Sequence, residues 1–247
     1  MDRLHHTAIR AVLFDLDDTL FDQQYSSRCG LAAIQKQYPC FQQKTLAELE
    51  QIHTQLLNTW HDKVLQGVLS LAEARTIRFR EFFERCGEPA TNDSVDAATT
   101  IYRNVYQATR RPAPGVLPLL RSLHVRVKIA VVTNNMVSEQ QEKLACCGLT
   151  PFIDILVTSE EVKVAKPEPA IFQAALDHLQ CRATEVVMVG DSWSADIVGA
   201  SNLGIRSVWL NRQNMACPDP LLGFEIHSFE PLETTLALLL NEHSGRN

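Results

Sequence analysis

Four short segments carry side chains whose chemistry matters more than their bulk. Asp15-Leu16-Asp17-Asp18-Thr19 follows the apolar run Ala11–Phe14, Thr133-Asn134-Asn135 follows Ile129–Val132, and Gly190-Asp191, with Asp196 beyond it, follows Val186–Val189. Lys166-Pro167 stands before a helical pattern that begins near Glu168. Two carboxylates ~4 Å apart repel by ~4 kcal/mol at an effective dielectric of ~20. If Asp15, Asp17 and Asp191 converge uncompensated, their pKa values rise or the site becomes unstable. A hard divalent cation resolves the repulsion, and Mg²⁺ takes a few carboxylates with waters and phosphate oxygens around it. Zinc does not suit these donors, because no Cys or His falls in these segments. With the charge balanced a phosphate dianion can approach, Lys166 adding positive charge and Thr133 and Asn134 donating hydrogen bonds.

One Asp can then act as nucleophile, so that an aspartyl-phosphate splits one difficult displacement into two easier steps. A second carboxyl two residues on can protonate the leaving alkoxide and later activate water. Residues i and i+2 share one direction on an extended chain, which gives the spacing of Asp15 and Asp17 a chemical reason. The scheme demands that the carboxyl groups of residues 15 and 191 lie within about 10 Å, close enough to share one Mg²⁺.

These residues need a frame. Ala11–Phe14, Ile129–Val132, Ile155–Val157, Val186–Val189 and Val208–Leu210 are short, continuous apolar runs rich in β-branched residues, as in strands buried on both faces of a parallel sheet. Helical patterns separate the last four: Glu139–Cys147 with Ser138 as N-cap and Gly148 as stop, Glu168–Leu179 with Pro169 in its first turn, and Ser194–Leu203 ending at Gly204. This alternation predicts an α/β domain, in which ligands bind beyond the carboxyl ends of the strands. Between Asp22 and Arg111 the rhythm breaks. Phe79, Phe82, Phe83 and Cys86 share one helical face, as do Ala98, Ile101, Tyr102 and Val105, and Leu49, Ile52 and Leu56 approximate another. The segment closes with the breaker-rich Arg110-Arg111-Pro112-Ala113-Pro114-Gly115. Trp60 and His61 are assigned to packing or surface, and Arg110 and Arg111 to a solvated linker.

Composition bounds the rest. The chain has 247 residues, 45% of them hydrophobic, which excludes a disordered protein. Its net charge of −6 argues against binding a nucleic acid polymer. The 7 cysteines are an odd set without C-x-x-C spacing, each read as a small buried hydrophobe in a reducing, cytoplasmic compartment. Residues 1–10 are polar, and His5-His6 is read as an exposed polar terminus rather than a metal site. Leu236–Leu240 is too short to span a membrane.

In this order the four motifs resemble those of haloacid-dehalogenase-superfamily phosphatases. The resemblance covers roughly the whole chain, the inserted segment by position and helicity alone. It implies a doubly wound, parallel-sheet, Rossmann-like α/β core of residues 1–21 and 112–247, with an all-helical cap of residues 22–111 that closes over the substrate. It implies Asp15 as nucleophile and Mg²⁺ ligand. Asp17 would be the general acid/base and a ligand through its main-chain carbonyl, and Asp191 the second side-chain ligand. Thr133, Asn134 and Lys166 would hold the phosphate, with Lys166 also neutralising the aspartyl-phosphate, and Asp196 would support the metal more weakly or at one remove. Two positions depart from the family pattern. Asn135 stands where Gly is frequent, and Asn tolerates left-handed backbone. Lys163 stands where a small residue is frequent, and is read as solvated rather than as charge at the site mouth.

Related chemistries share these parts. Dehalogenases of the family lack an acid at the position of Asp17, whereas a mutase of the β-phosphoglucomutase type keeps all four motifs. The stretch from Ser159-Glu160-Glu161 to Val164-Ala165-Lys166-Pro167 and the cap length resemble the subgroup of pyrimidine 5′-nucleotidases and N-acylneuraminate-9-phosphatases. That implies a nucleoside monophosphate or sugar phosphate as substrate. A capped core can be complete in one chain, so a monomer is expected, with a dimer left open.

Overall fold

The computed structural model describes residues 8–242, so the His5-His6 pair lies outside them. The chain divides into two compact units, Met1–Asp22 with Pro112–Asn247, and Gln23–Arg111.

The first unit is built on β1 (Ala11–Phe14), β2 (Lys128–Thr133), β3 (Ile155–Thr158), β4 (Val186–Gly190), β5 (Arg206–Leu210) and β6 (Phe224–Ile226). They form one six-stranded sheet in the order β3-β2-β1-β4-β5-β6, every pair parallel. β1 and β4 are buried throughout and β2 beyond its first residue, which is why their sequences are continuous apolar runs and not alternating ones. The five expected strands are present, each within two residues of its run. β6 was not expected: its three residues include no apolar run and are partly exposed at the sheet edge.

The second unit is helical: α1 (Gln23–Gln35), α2 (Pro39–Gln42), α3 (Leu46–Leu65), α4 (Leu71–Arg85) and α5 (Asn92–Ala108). Reciprocal capping boxes start α3 at Thr45/Glu48 and α4 at Ser70/Glu73. Phe79, Phe82, Phe83 and Cys86 are buried with Leu49, Leu56, Ala98 and Tyr102, as their spacing predicts. Trp60 packs half-buried on this cluster, its indole N–H donating to Glu81 at 3.2 Å. Arg110 and Arg111 are not simply solvated, since their guanidinium groups lie over the rings of Tyr106 and Tyr25.

The sheet is covered on both faces by the remaining helices: α6 (Val116–His124), α7 (Val137–Cys146), α8 (Ser159–Val162), α9 (Pro169–Leu179), α10 (Gly199–Ser201) and α11 (Leu232–Leu240). Ile171, Phe172, Ala175 and Leu179 of α9 pack with Leu13, Val132 and Met188. Ser138 does not cap α7. The helix begins one residue earlier, and the Val137 N–H donates to Glu160 Oε2 at 2.8 Å. The segment after β4 is not a plain α-helix either, because Trp193–Val198 forms a wide π-helical turn before α10, a distortion found often at functional sites.

Among the described residues all seven cysteines are free thiols. Cys40, Cys86 and Cys147 are buried and Cys29, Cys181 and Cys217 partly so, but Cys146 is exposed at the end of α7 and is no core residue. No helix of the described residues is long and apolar enough to cross a membrane.

Candidate active site

Strand register brings three of the four motifs to one edge. Phe14 lies opposite Val131 on one side and Val189 on the other. All three strands run the same way, so Asp15, Thr133 and Gly190-Asp191 emerge together at their carboxyl ends. Asp15 continues the pairing by donating its N–H to Val189 O at 2.9 Å.

Lys166 enters this cluster with its ammonium buried. Its Nζ donates to Asp15 Oδ1 at 2.6 Å, Asp196 Oδ1 at 2.7 Å and Val132 O at 2.7 Å. These three bonds use all its protons. Burial alone would lower its pKa, but Asp15 and Asp196 hold it above the ordinary lysine value. Lys166 therefore neutralises the carboxylates packed around it. Asn134 acts as a bridge, its side chain donating to Lys166 O at 2.9 Å and accepting the Lys166 N–H at 2.7 Å. It ties the end of β2 to the lysine loop.

Asp15, Asp191 and Asp196 each offer a carboxylate oxygen within 4.8 Å of the others. Both Asp196 oxygens are engaged, Oδ1 by Lys166 and Oδ2 by the Ser192 N–H at 3.0 Å. Asp191 Oδ1 accepts from Thr19 Oγ1 at 3.3 Å, while Trp209 Nε1 holds the Asp191 carbonyl at 2.8 Å and Trp193 packs edge-on against Trp209. Three carboxylates face one ammonium, which leaves two surplus negative charges. Burial, reinforced by Asp196 and Asp17 against the pull of Lys166, pushes Asp15 up to about 7. Burial, with Asp15, Asp196 and Asp18, holds Asp191 well above the carboxylate range. An all-oxygen donor set with unbalanced negative charge fits a hard divalent cation.

Asp17 has a separate holder. Lys143 Nζ lies 2.5 Å from its Oδ1, and Gln140 Nε2 and Asn135 Nδ2 lie 3.2 Å and 3.3 Å from its Oδ2. Burial alone would raise its pKa, but the Lys143 charge and these hydrogen bonds keep it below the ordinary value. The two aspartates of the D-x-D motif thus answer to different ammonium groups, and the chain between and beyond them turns, with Asp18 in the left-handed region. Asn135 is not left-handed; it serves through its side chain instead. Lys163 is the left-handed residue, exposed at the end of α8. Sequence reasoning missed Gln140 and Lys143. Their signal was present, since Gln140, Lys143, Leu144 and Cys147 share one helical face and two of the four are polar where an apolar stripe belongs.

A family model described as haloacid dehalogenase-like hydrolase matches residues 9–204. The chain is 30% identical over 229 residues to the pyrimidine 5′-nucleotidase YjjG of Escherichia coli, covering 91% of this chain and 96% of that one. It is 28% identical over 209 residues to N-acylneuraminate-9-phosphatase of Mus musculus, covering 83% of each. Among solved structures it resembles YfnB from Bacillus subtilis bound to magnesium, with a TM-score of 0.74, 24% identity, and 94% and 99% of the two chains covered.

Proposed function

The chain belongs to the haloacid dehalogenase-like hydrolases as one of their phosphatases, and we propose that it is Mg²⁺-dependent, works through an aspartyl-phosphate on Asp15, and acts on a nucleoside monophosphate or sugar phosphate. The carrying observation is the convergence of Asp15, Asp191 and Asp196 within 4.8 Å around one buried ammonium. Asp15, Asp191 and the Asp17 carbonyl would hold Mg²⁺, with Asp196 at one remove because its oxygens are already engaged. When bound, the ion offsets the charge of both the carboxylates and the incoming phosphate.

The residues divide the work. Asp15 Oδ2, which has no protein hydrogen bond among the described residues, attacks phosphorus; its new O–P bond forms as the ester P–O bond breaks. Asp17 gives its proton to the leaving alkoxide, the dianion nearby having raised its proton affinity against Lys143. Asp17 then takes a proton from water as the water oxygen attacks phosphorus, which frees Asp15 and inorganic phosphate. Thr133 Oγ1 accepts a hydrogen bond from Gln140 Nε2 at 2.6 Å, so its own hydrogen is available to a phosphate oxygen. The helical unit would serve as the cap that excludes water.

Support for the substrate class comes from the motif resemblance and from the named activities of the relatives. The test is phosphate release from p-nitrophenyl phosphate with Mg²⁺, by the wild-type protein and by Asp15→Asn. Loss of at least ~10³-fold is expected for the variant, and undiminished turnover would count against the aspartyl-phosphate. A panel of ~50–100 phosphorylated metabolites then ranks nucleotides against sugar phosphates.

A further inference from the structure

We propose that Gln140 and Lys143, on one face of α7, are positioning residues that hold Asp17 and Thr133 together in the arrangement phosphoryl transfer requires; this rests on the phosphatase reading above. Lys143 is 3% exposed, with its ammonium 2.5 Å from Asp17 and 5.3 Å from the centre of the Phe21 ring. A buried ammonium is costly unless paired, and a surface role would leave this side chain in solvent. Its place is explained by the carboxylate it grips. Gln140 is fully buried and spends its amide protons on Thr133 Oγ1 at 2.6 Å and Asp17 Oδ2 at 3.2 Å. Thr133 ends β2 and Asp17 lies in the turn just beyond β1, far away in sequence. One helical turn of α7 therefore fixes the orientation of the acid/base carboxyl and of the phosphate-facing hydroxyl at once.

Lys143 acts through Asp17, and Gln140 through both Asp17 and Thr133, so their losses should differ. A p-nitrophenolate leaves without a proton, whereas the alkoxide of glycerol 2-phosphate needs one, and kcat/KM reports the step in which that group departs. Lys143→Met should lower kcat/KM for glycerol 2-phosphate by at least ~10-fold and for p-nitrophenyl phosphate by no more than ~3-fold, and Lys143→Arg should recover most of the loss. Gln140→Leu should in addition raise KM for both esters. Circular dichroism and Tm check that each variant folds. If Lys143→Met does not, Lys143→Gln is read in the same way. Equal losses on the two esters, no loss on either, or an Arg variant as poor as Met would overturn the proposal. The phosphatase reading fails separately, by a folded wild type that turns over neither ester, and takes this inference with it.

Discussion

The side chain of Asp196 occupies the space where Gly190 would carry a Cβ. A Cβ built there would lie 2.2 Å from Asp196 Oδ2 and 2.3 Å from its Cγ. Gly190 has no left-handed backbone to explain it, so its role is clearance. It lets a wholly buried carboxylate lie across the end of β4 and accept bonds from Ser192 and Lys166.

Gly190→Ala should therefore displace Asp196 and, through it, Lys166. Misplacement on the order of 1 Å costs about 10²-fold in rate, and crowding a packed site costs about 1–3 kcal/mol. Steady-state kinetics and thermal denaturation measure the two effects. A Gly190→Ala protein with wild-type kcat would show that Asp196 can move without consequence.

Lys166→Met leaves two buried carboxylates without their shared counter-ion. Breaking a buried pair by removing one partner costs about 3–5 kcal/mol. The variant should be inactive and less stable, most so without divalent ions. Saturating Mg²⁺ should restore part of its Tm, since a cation in the cluster supplies some of the missing charge. A variant whose Tm matches that of the wild type in chelator would refute this account of Lys166.

The response to Mg²⁺ should depend on pH with a definite sign. Asp15 sits at about 7 and Asp191 well above its ordinary 3.8, so between those values the folded state binds more protons than the unfolded one. Metal-free stability contributed by these groups is thus lost as pH rises through that window. Metal binding needs the carboxylates ionised, so Mg²⁺ must displace more protons at pH ~5 than at pH ~8. The Tm increment on adding Mg²⁺ should be larger at the higher pH and should vanish in Asp191→Asn. An equal or larger increment at pH ~5 would contradict the raised values.

Most of this site could be read from the chain because its chemistry is local to strand ends. The runs ending before Asp15, Thr133 and Asp191 are buried on both faces, and such burial writes itself as uninterrupted apolar sequence. What was illegible depended on which face a helix turns to the sheet. Gln140 and Lys143 interrupt the apolar stripe of α7, but the groups they serve are set only when α7 is docked. The bridge from Asn134 to Lys166 and the lysine's three bonds to protein oxygens join segments 30 or more residues apart, which no local pattern records. Ser138 looked like a cap because its competitor, Glu160, lies 22 residues further along the chain. β6 lies at the edge, where little apolar burial marks its sequence.

Lys163 offers a test of a smaller kind. Its φ of 64° and ψ of 16° place a residue with a Cβ in the left-handed region, where its N–H closes α8 onto Ser159 O at 2.9 Å. That conformation costs a non-glycine residue about 1–2 kcal/mol, while glycine gives back roughly 0.5–1 kcal/mol through its freer unfolded state. Lys163→Gly should therefore raise stability by about 0.5 kcal/mol, a Tm gain of ~1–2 °C. The side chain is exposed, and as a solvated charge its removal should leave KM for a phosphate ester unchanged. A KM that rises several-fold, and more steeply at low ionic strength, would instead place the ammonium at the site mouth, attracting the dianion through space.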